Sequence, residues 1–280
     1  MKPHKHLLHA ALLFIAVLTG LSLWLVHTSV PSSVASQLQR GGSLRVGFAV
    51  EVPYAYVDAQ GQVTGEAPEI FRLMAQRLGI ERIDWVRMDF ASLLPELQLG
   101  RIDAIAAGMF VTPERQRLAA FTRPTASVRP ALIVRQGEQR VPLKPVTADL
   151  ERASTILWVT VHDAAENGLL FQAGVPRERI ATVPQADRGL RSVAEGHADA
   201  LAISAVTAWQ LVAAHPQWPL EVRTLSDAPA GFPAFVFRHD DVALRDAMDQ
   251  ALLTYLGSEE HQALVRGFGF TSDEVPPDLP

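Results

Sequence analysis

Residues 100–106 read GRIDAIA, and residues 196–202 read GHADALA, 96 positions later. An earlier pair stands in the same order, LGIERI at 78–83 and AGVPRERI at 173–180. Each copy follows an amphipathic segment and precedes a short apolar run. Gly79, Gly100, Gly174 and Gly196 stand where a helix ends on a left-handed residue, a conformation that glycine adopts without a Cβ penalty. A period this long excludes a solenoid and predicts two lobes of similar α/β topology. The length agrees: 280 residues fall in the range of ~250–300 at which one core stops growing and a chain divides.

Hydrophobic patterning fills in the two lobes. Strands are expected at 43–50, 82–86 and 104–107, with helices at 66–78 and 91–99. The second half repeats this, with strands at 156–161, 179–183 and 200–203 and helices at 164–173 and 186–195. Strands alternating with helices of about ten residues indicate βαβ units and parallel pairing. Two apolar strands, 131–134 and 233–237, flank the second lobe and are expected to serve as crossovers. A terminal helix at 242–256 carries Leu244, Met248, Leu252 and Tyr255 on one face and should pack back on the first lobe. The proline-rich end, 271–280, is expected to be a flexible tail.

The first 35 residues set the compartment. Lys2 and Lys5 open the chain, Leu7 to Val26 is apolar with few breaks, and no acid appears before Glu51. Ser33-Val34-Ala35 offers the small residues of a signal-peptidase site, and the apolar run is also long enough to span a bilayer. Residues 1–35 therefore read as a cleaved signal or as a retained anchor, and either exports the rest to the periplasm. The chain has no cysteine, which excludes disulfides, thiolate metal sites, a cysteine nucleophile and a lipidated cysteine anchor. A net charge of −5 speaks against nucleic acid as a partner. No metal or cofactor is expected, because the body has no His pair at ligand spacing.

Ligands of open α/β sheets bind at the C-terminal ends of the strands. The first strand is followed by Glu51 and Tyr54, the second by Phe90, and the third by Gly108, Phe110, Thr112 and Arg115. In the second lobe, His162 and Asp163 follow one strand and Ser204 another. Thr112-Pro113 is a helix start, and a guanidinium beside a helix start can receive a carboxylate through bidentate bonds. Glu51 among aromatic rings can hold a cation. Singly, each residue has a plainer reading: Arg115 as a surface arginine, Glu51 as a loop acid, Tyr54 and Phe110 as packing plugs.

The stretches LRVGFAVEVPYAYVDAQGQVTGEAPEI and SLLPELQLGRIDAIAAGMFVTPERQRLAAFTRP resemble the family-3 solute-binding proteins of ABC importers, over roughly residues 43–270. GMFVTPER is the most specific part. The resemblance implies a two-lobed periplasmic-binding-protein fold of type II, with parallel-dominated sheets, helices on both faces and a two-strand hinge. Residues 43–131 plus 233–270 would form lobe 1 and 137–227 lobe 2. It implies a monomer that delivers a small zwitterion to a membrane permease, with Arg115 gripping the ligand carboxylate. Within the family, GEAPEI (65–70) and the aromatic after Gly108-Met109 are similar to the ectoine and hydroxyectoine binders. Their acid, arginine and three aromatics would fall on Glu51, Arg115, Tyr54, Phe90 and Phe110.

The departures matter too. Ser204 stands where amino-acid binders usually carry an Asp for the α-ammonium, and His162-Asp163-Ala164 replaces their Gly-Thr turn. Phe110 also replaces a small residue, and losing the Asp while gaining aromatics points to a delocalised or quaternary cation rather than a primary ammonium. Two other functions stay open at this level. Cyclohexadienyl and arogenate dehydratases share the fold, so an enzyme is one. A membrane-tethered ligand sensor is the other. Against catalysis, no G-x-S-x-G elbow is present, and His162, Asp163 and Ser204 would have to converge to act as a triad.

Overall fold

The computed structural model describes residues 42–141 and 155–275. The signal or anchor expected over 1–35 lies outside the described residues, as do 142–154 of the second lobe and 276–280 of the tail. In chain order the first half holds β1 (Leu44–Phe48), a small hairpin β2 (Tyr56–Val57) and β3 (Val63–Thr64), α1 (Glu66–Arg77), β4 (Ile83–Arg87) and α2 (Leu93–Gln98). It continues through β5 (Ala104–Phe110), α3 (Pro113–Gln116) and β6 (Ala120–Phe121). The second half holds β7 (Pro130–Arg135), β8 (Trp158–Val161), α4 (Ala165–Gln172), β9 (Ile180–Val183) and α5 (Ala186–Ala194). Then come β10 (Ala200–Ser204), α6 (Ala205–Ala214), β11 (Leu220–Thr224), β12 (Pro233–Phe237), α7 (Val242–Leu253) and α8 (Glu259–Arg266).

Two five-stranded sheets result, ordered β4-β1-β5-β12-β6 and β11-β7-β10-β8-β9. In the first, β1 lies between β4 and β5, parallel to both, with Leu44 opposite Ile83 and Val46 opposite Ala104. In the second, β8 lies between β9 and β10 in the same way. The other pairings of each sheet are antiparallel, so the sheets are mixed rather than dominated by parallel pairs. The reason is the crossing. β7 enters the second sheet against β10, and β12 returns to the first against β5, each running opposite to its βαβ neighbours.

This corrects the expected crossovers. Residues 131–134 and 233–237 are interior strands, and the chain crosses just before each of them. There the two passes pair with each other: Val128 and Gly231 form an antiparallel bridge, with N–H to O distances of 2.8 and 2.7 Å. This short pairing is the two-strand hinge. The expected tail is also corrected in part. Ser127 N–H donates to the Glu274 carbonyl at 2.7 Å, and Val275 is buried in the first core, so an apolar side chain and a backbone bond hold 271–275 in place.

The cores follow from the patterning. Ile70, Phe71, Met74 and Ala75 of α1 are fully buried against Val46, Phe235 and Phe237. Phe71 meets Phe235 edge-on at 5.0 Å. Leu244, Met248, Leu252 and Tyr255 join the same cluster, so the terminal helix does pack on the first lobe. Each such side chain is worth ~1.5–3 kcal/mol of apolar burial. Among the described residues, no helix is long and apolar enough to cross a membrane.

The repeat has a physical meaning. Gly79, Gly100, Gly174 and Gly196 have φ of 72°, 68°, 80° and 80°, the left-handed ends the sequence predicts. Three residues after two of them, Asp103 and Asp199 make matching clasps. Asp103 accepts the Arg45 backbone N–H at 3.0 Å and pairs with the Arg45 and Arg238 guanidiniums. Asp199 accepts the Leu157 N–H at 3.0 Å and pairs with Arg135 and Arg140. Arg238 donates to the Leu97 and Ile102 carbonyls, and Arg135 to the Val193 and Ala198 carbonyls at the equivalent places. Burial acts to raise both carboxyls. The arginines and backbone bonds outweigh it and hold both below the usual carboxylate range.

Candidate functional site

The C-terminal ends of the parallel strands in the two sheets face each other across a cleft. On the first side, Glu51 follows β1 and is fixed by a tight turn in which Glu51 and Ala55 exchange backbone bonds of 2.8 and 3.0 Å. β5 runs on to Phe110, further than its expected end. Thr112 then caps α3, its hydroxyl accepting the Arg115 N–H at 3.3 Å, with Pro113 in the first turn. That cap fixes where the Arg115 side chain leaves the backbone.

Arg115 is buried, with 9% of its surface exposed. One terminal nitrogen donates to the Phe110 carbonyl at 2.6 Å and the other to the Asp163 carbonyl, also at 2.6 Å, across the cleft. Its guanidinium lies over the Phe90 ring, 5.4 Å from the centroid. Burial works to lower its pKa, while Glu166, Asp163 and Glu51 oppose that. Among the described residues no carboxylate comes within ion-pair distance of Arg115. With five N–H donors, the guanidinium keeps some free for a ligand.

Two acids share this space. Glu51 is pushed up to about 7, first by burial and then by the charge of Glu166; a bond from Thr207 and the charge of Arg115 pull the other way. Glu166, in the first turn of α4, is 5% exposed and also raised by burial. From the second side, Ser204 ends β10 and caps α6, accepting the Thr207 N–H at 3.3 Å. Ser204 donates to the Thr207 hydroxyl at 2.9 Å, and Thr207 reaches Glu51 at 3.4 Å. This relay joins the two lobes.

Cavities of about 460, 630 and 350 Å³ surround these groups, and each takes lining residues from both lobes. Glu51 and Phe90 line the first, Phe90, Arg115 and Asp163 the second, Phe110 and Glu166 the third.

Glu51, Phe90, Phe110, Thr112, Arg115 and Ser204 are thus brought together. Tyr54 sits deeper, as a fully buried core residue meeting Phe110 and Phe270 edge-on at 6.1 and 5.7 Å. Gly108, at φ 66°, leaves room for it: a Cβ there would lie 2.4 Å from the Tyr54 ring. Asp163 contributes its carbonyl to Arg115 and takes the left-handed conformation, φ 59°. The His162 side chain does not join them. It is exposed, and its Nδ1 faces Thr182 at 3.3 Å, because alternate residues of an extended strand end point to opposite sides. Glu166 and Thr207 were not anticipated. Glu166 reads as an ordinary first-turn acid, and Thr207 lies in α6, whose apolar residues run all round the helix and give no one-faced signal.

The family model for bacterial extracellular solute-binding proteins, family 3, matches residues 44–271. The chain belongs to that family. The probable amino-acid ABC transporter periplasmic-binding protein y4tE of Sinorhizobium fredii is 30% identical over 270 residues, covering 93% of this chain and 88% of that protein. The lysine/arginine/ornithine-binding periplasmic protein of Escherichia coli is 28% identical over 142 residues, half of each chain. Among solved structures, EhuB in complex with hydroxyectoine superposes with a TM-score of 0.76 at 30% identity, covering 84% of this chain and 91% of that one. The chain is an extracytoplasmic solute-binding protein of type II architecture.

Proposed function

We propose that this solute-binding protein captures a small zwitterion between its lobes and delivers it to the membrane permease of an ABC importer. The carrying observation is electrostatic. A buried guanidinium and two crowded carboxylates converge on one cleft, and none forms an ion pair with another. Burying charge without a partner is costly, and a ligand bearing both signs supplies the partners. Its carboxylate meets Arg115, and its cation meets Glu51 beside Phe90 and Phe110, where ring faces favour positive charge.

The ectoine type of solute fits this arrangement, and the hydroxyectoine complex of EhuB supports it. Amino acids are the broader class, supported by the names of the other relatives. The bounds read from the sequence, 43–131 with 233–270 for lobe 1 and 137–227 for lobe 2, shift at their edges, because β7 from Pro130 belongs to the second sheet and Val275 to the first core, and the lobes close about the Val128–Gly231 pair. Residues 1–35 carry the protein to the periplasm as signal or anchor, and it works there as a monomer. Our reading is binding rather than catalysis: the Ser204 hydroxyl is engaged with Thr207, and His162 faces Thr182 instead of Ser204.

A thermal-shift screen of ectoine, hydroxyectoine and the common amino acids tests the reading. A ligand that prefers the folded state raises the melting temperature, by linkage worth ~2.7 kcal/mol at a hundredfold excess over Kd. At least one of these zwitterions should raise it. A flat response to all of them would overturn the zwitterion assignment.

A further inference from the structure

The residues of α6 divide between the two lobes. Ala205 and Ala208 are buried in the core of their own lobe, and Leu211 and Val212 pack against it. Val206 instead is buried in the first core, the cluster that holds Tyr54 and Phe270, and only 4% of it is exposed. One turn on, Gln210 lies against the Gly269 backbone of lobe 1: a Cβ on that glycine would fall 2.4 Å from the Gln210 amide nitrogen. Positions 206 and 210 share a helix face, and this face looks out of its own lobe into the other. Neither residue lines any of the three cleft cavities. The divided use explains why α6 is apolar all round: it serves two cores.

We propose that Val206 and Gln210 form a latch between the lobes: they are positioning residues that hold the cleft closed without ligand and set the affinity for the solute without touching it. Rotation about the Val128–Gly231 pair withdraws this face from lobe 1 and exposes the valine to water, at a cost proportional to the apolar area uncovered. A ligand that needs the closed form binds more weakly by the fraction of molecules already closed. The latch raises that fraction by the same factor for every ligand, because its contacts are protein to protein. The Arg115 bond to the Asp163 carbonyl also crosses the cleft, but it lies where a ligand competes for the guanidinium. The α6 face lies outside that competition.

The chain has no cysteine, so spin labels attach only where one is introduced. Leu99→Cys and Glu178→Cys place a pair on exposed positions of opposite lobes, and the distribution of label distances reads open and closed populations directly. Without ligand, the labelled protein should show a closed population. Val206→Asp, which buries an unpaired charge only on closure, should abolish it. Val206→Ala should lower the ratio of closed to open about threefold to tenfold, and Gln210→Ala should lower it in the same direction. Calorimetric titration with ectoine and with L-arginine should then show each variant losing affinity in proportion to its loss of closed population. If Val206→Asp does not fold, the two alanine variants carry the test. Unchanged distances in both alanine variants overturn the latch, as does weakened binding with no change in the closed population. A wild type that binds neither probe counts against the zwitterion reading and leaves the latch to be decided by the distances alone.

Discussion

At the scale of single residues, the site depends on a few unforgiving positions. Gly108 combines a left-handed backbone with contact against Tyr54, and both oppose a side chain. Gly108→Ala should destabilise the protein by about 2–4 kcal/mol, read as a lower urea midpoint; an unchanged midpoint would mean the Tyr54 ring moves freely. Glu51 gives a pH signature. Its neighbours are Glu166, which raises it, and Thr207 and Arg115, which lower it, and the ligand cation favours its ionised form. With the free carboxyl at about 7, affinity should weaken roughly tenfold for each pH unit below that value. Calorimetry between pH 5.5 and 8 checks this, and Glu51→Gln should flatten the profile. Of these residues, Arg115, Glu51 and Phe90 were readable because they stand at strand ends with suitable chemistry. Glu166 was not, since a first-turn acid looks the same whether it faces water or a cleft.

At the scale of elements, the repeated Asp clasps tie each sheet's crossing strand to its βαβ half. Asp103 is 1% exposed and Asp199 17%, so the first clasp carries the larger share. Asp103→Asn should cost about 3 kcal/mol, in the range for breaking a buried ion pair, and Asp199→Asn less. Urea denaturation of the two variants compares them, and an equal or reversed order would contradict the ranking. The repeat itself was visible in the sequence, as were most helices and strands, because apolar periodicity and terminal glycines are local signals. The direction of pairing was not. A crossing strand such as Pro233–Phe237 looks like any buried strand, and only the path of the chain through Val128 and Gly231 makes it antiparallel. The hairpin strands are only two residues long and α6 is apolar all round, so neither shows a pattern; β11 alternates and α8 is one-faced, and both are short enough to pass as loop between stronger signals.

At the scale of the whole molecule, function and stability pull against each other in the cleft. Glu51 and Glu66 are both raised from 4.5 to about 7 by burial, and Glu166 is raised as well. The folded protein therefore holds more protons than the unfolded chain between pH 4.5 and 7. Buried His261, lowered to about 4, opposes this with one proton fewer over part of the range. Carboxylates outnumber it, so ligand-free stability should fall as pH rises from 4.5 through 7. The Asp103 and Asp199 clasps set the acid limit, losing their contribution as the pH falls below the usual carboxylate range. Melting temperatures across pH 4–8 check the sign; a maximum at pH 8 without ligand would contradict it. Saturating zwitterion should reduce the decline by supplying the missing counter-charges. The most direct test of the account is a calorimetric titration of the wild type and Arg115→Ala with whichever zwitterion raises the melting temperature. The account predicts one saturable site per chain in the wild type and a loss of affinity of a hundredfold or more in the variant, about 3 kcal/mol for a stranded carboxylate. Equal binding by the two proteins would contradict it.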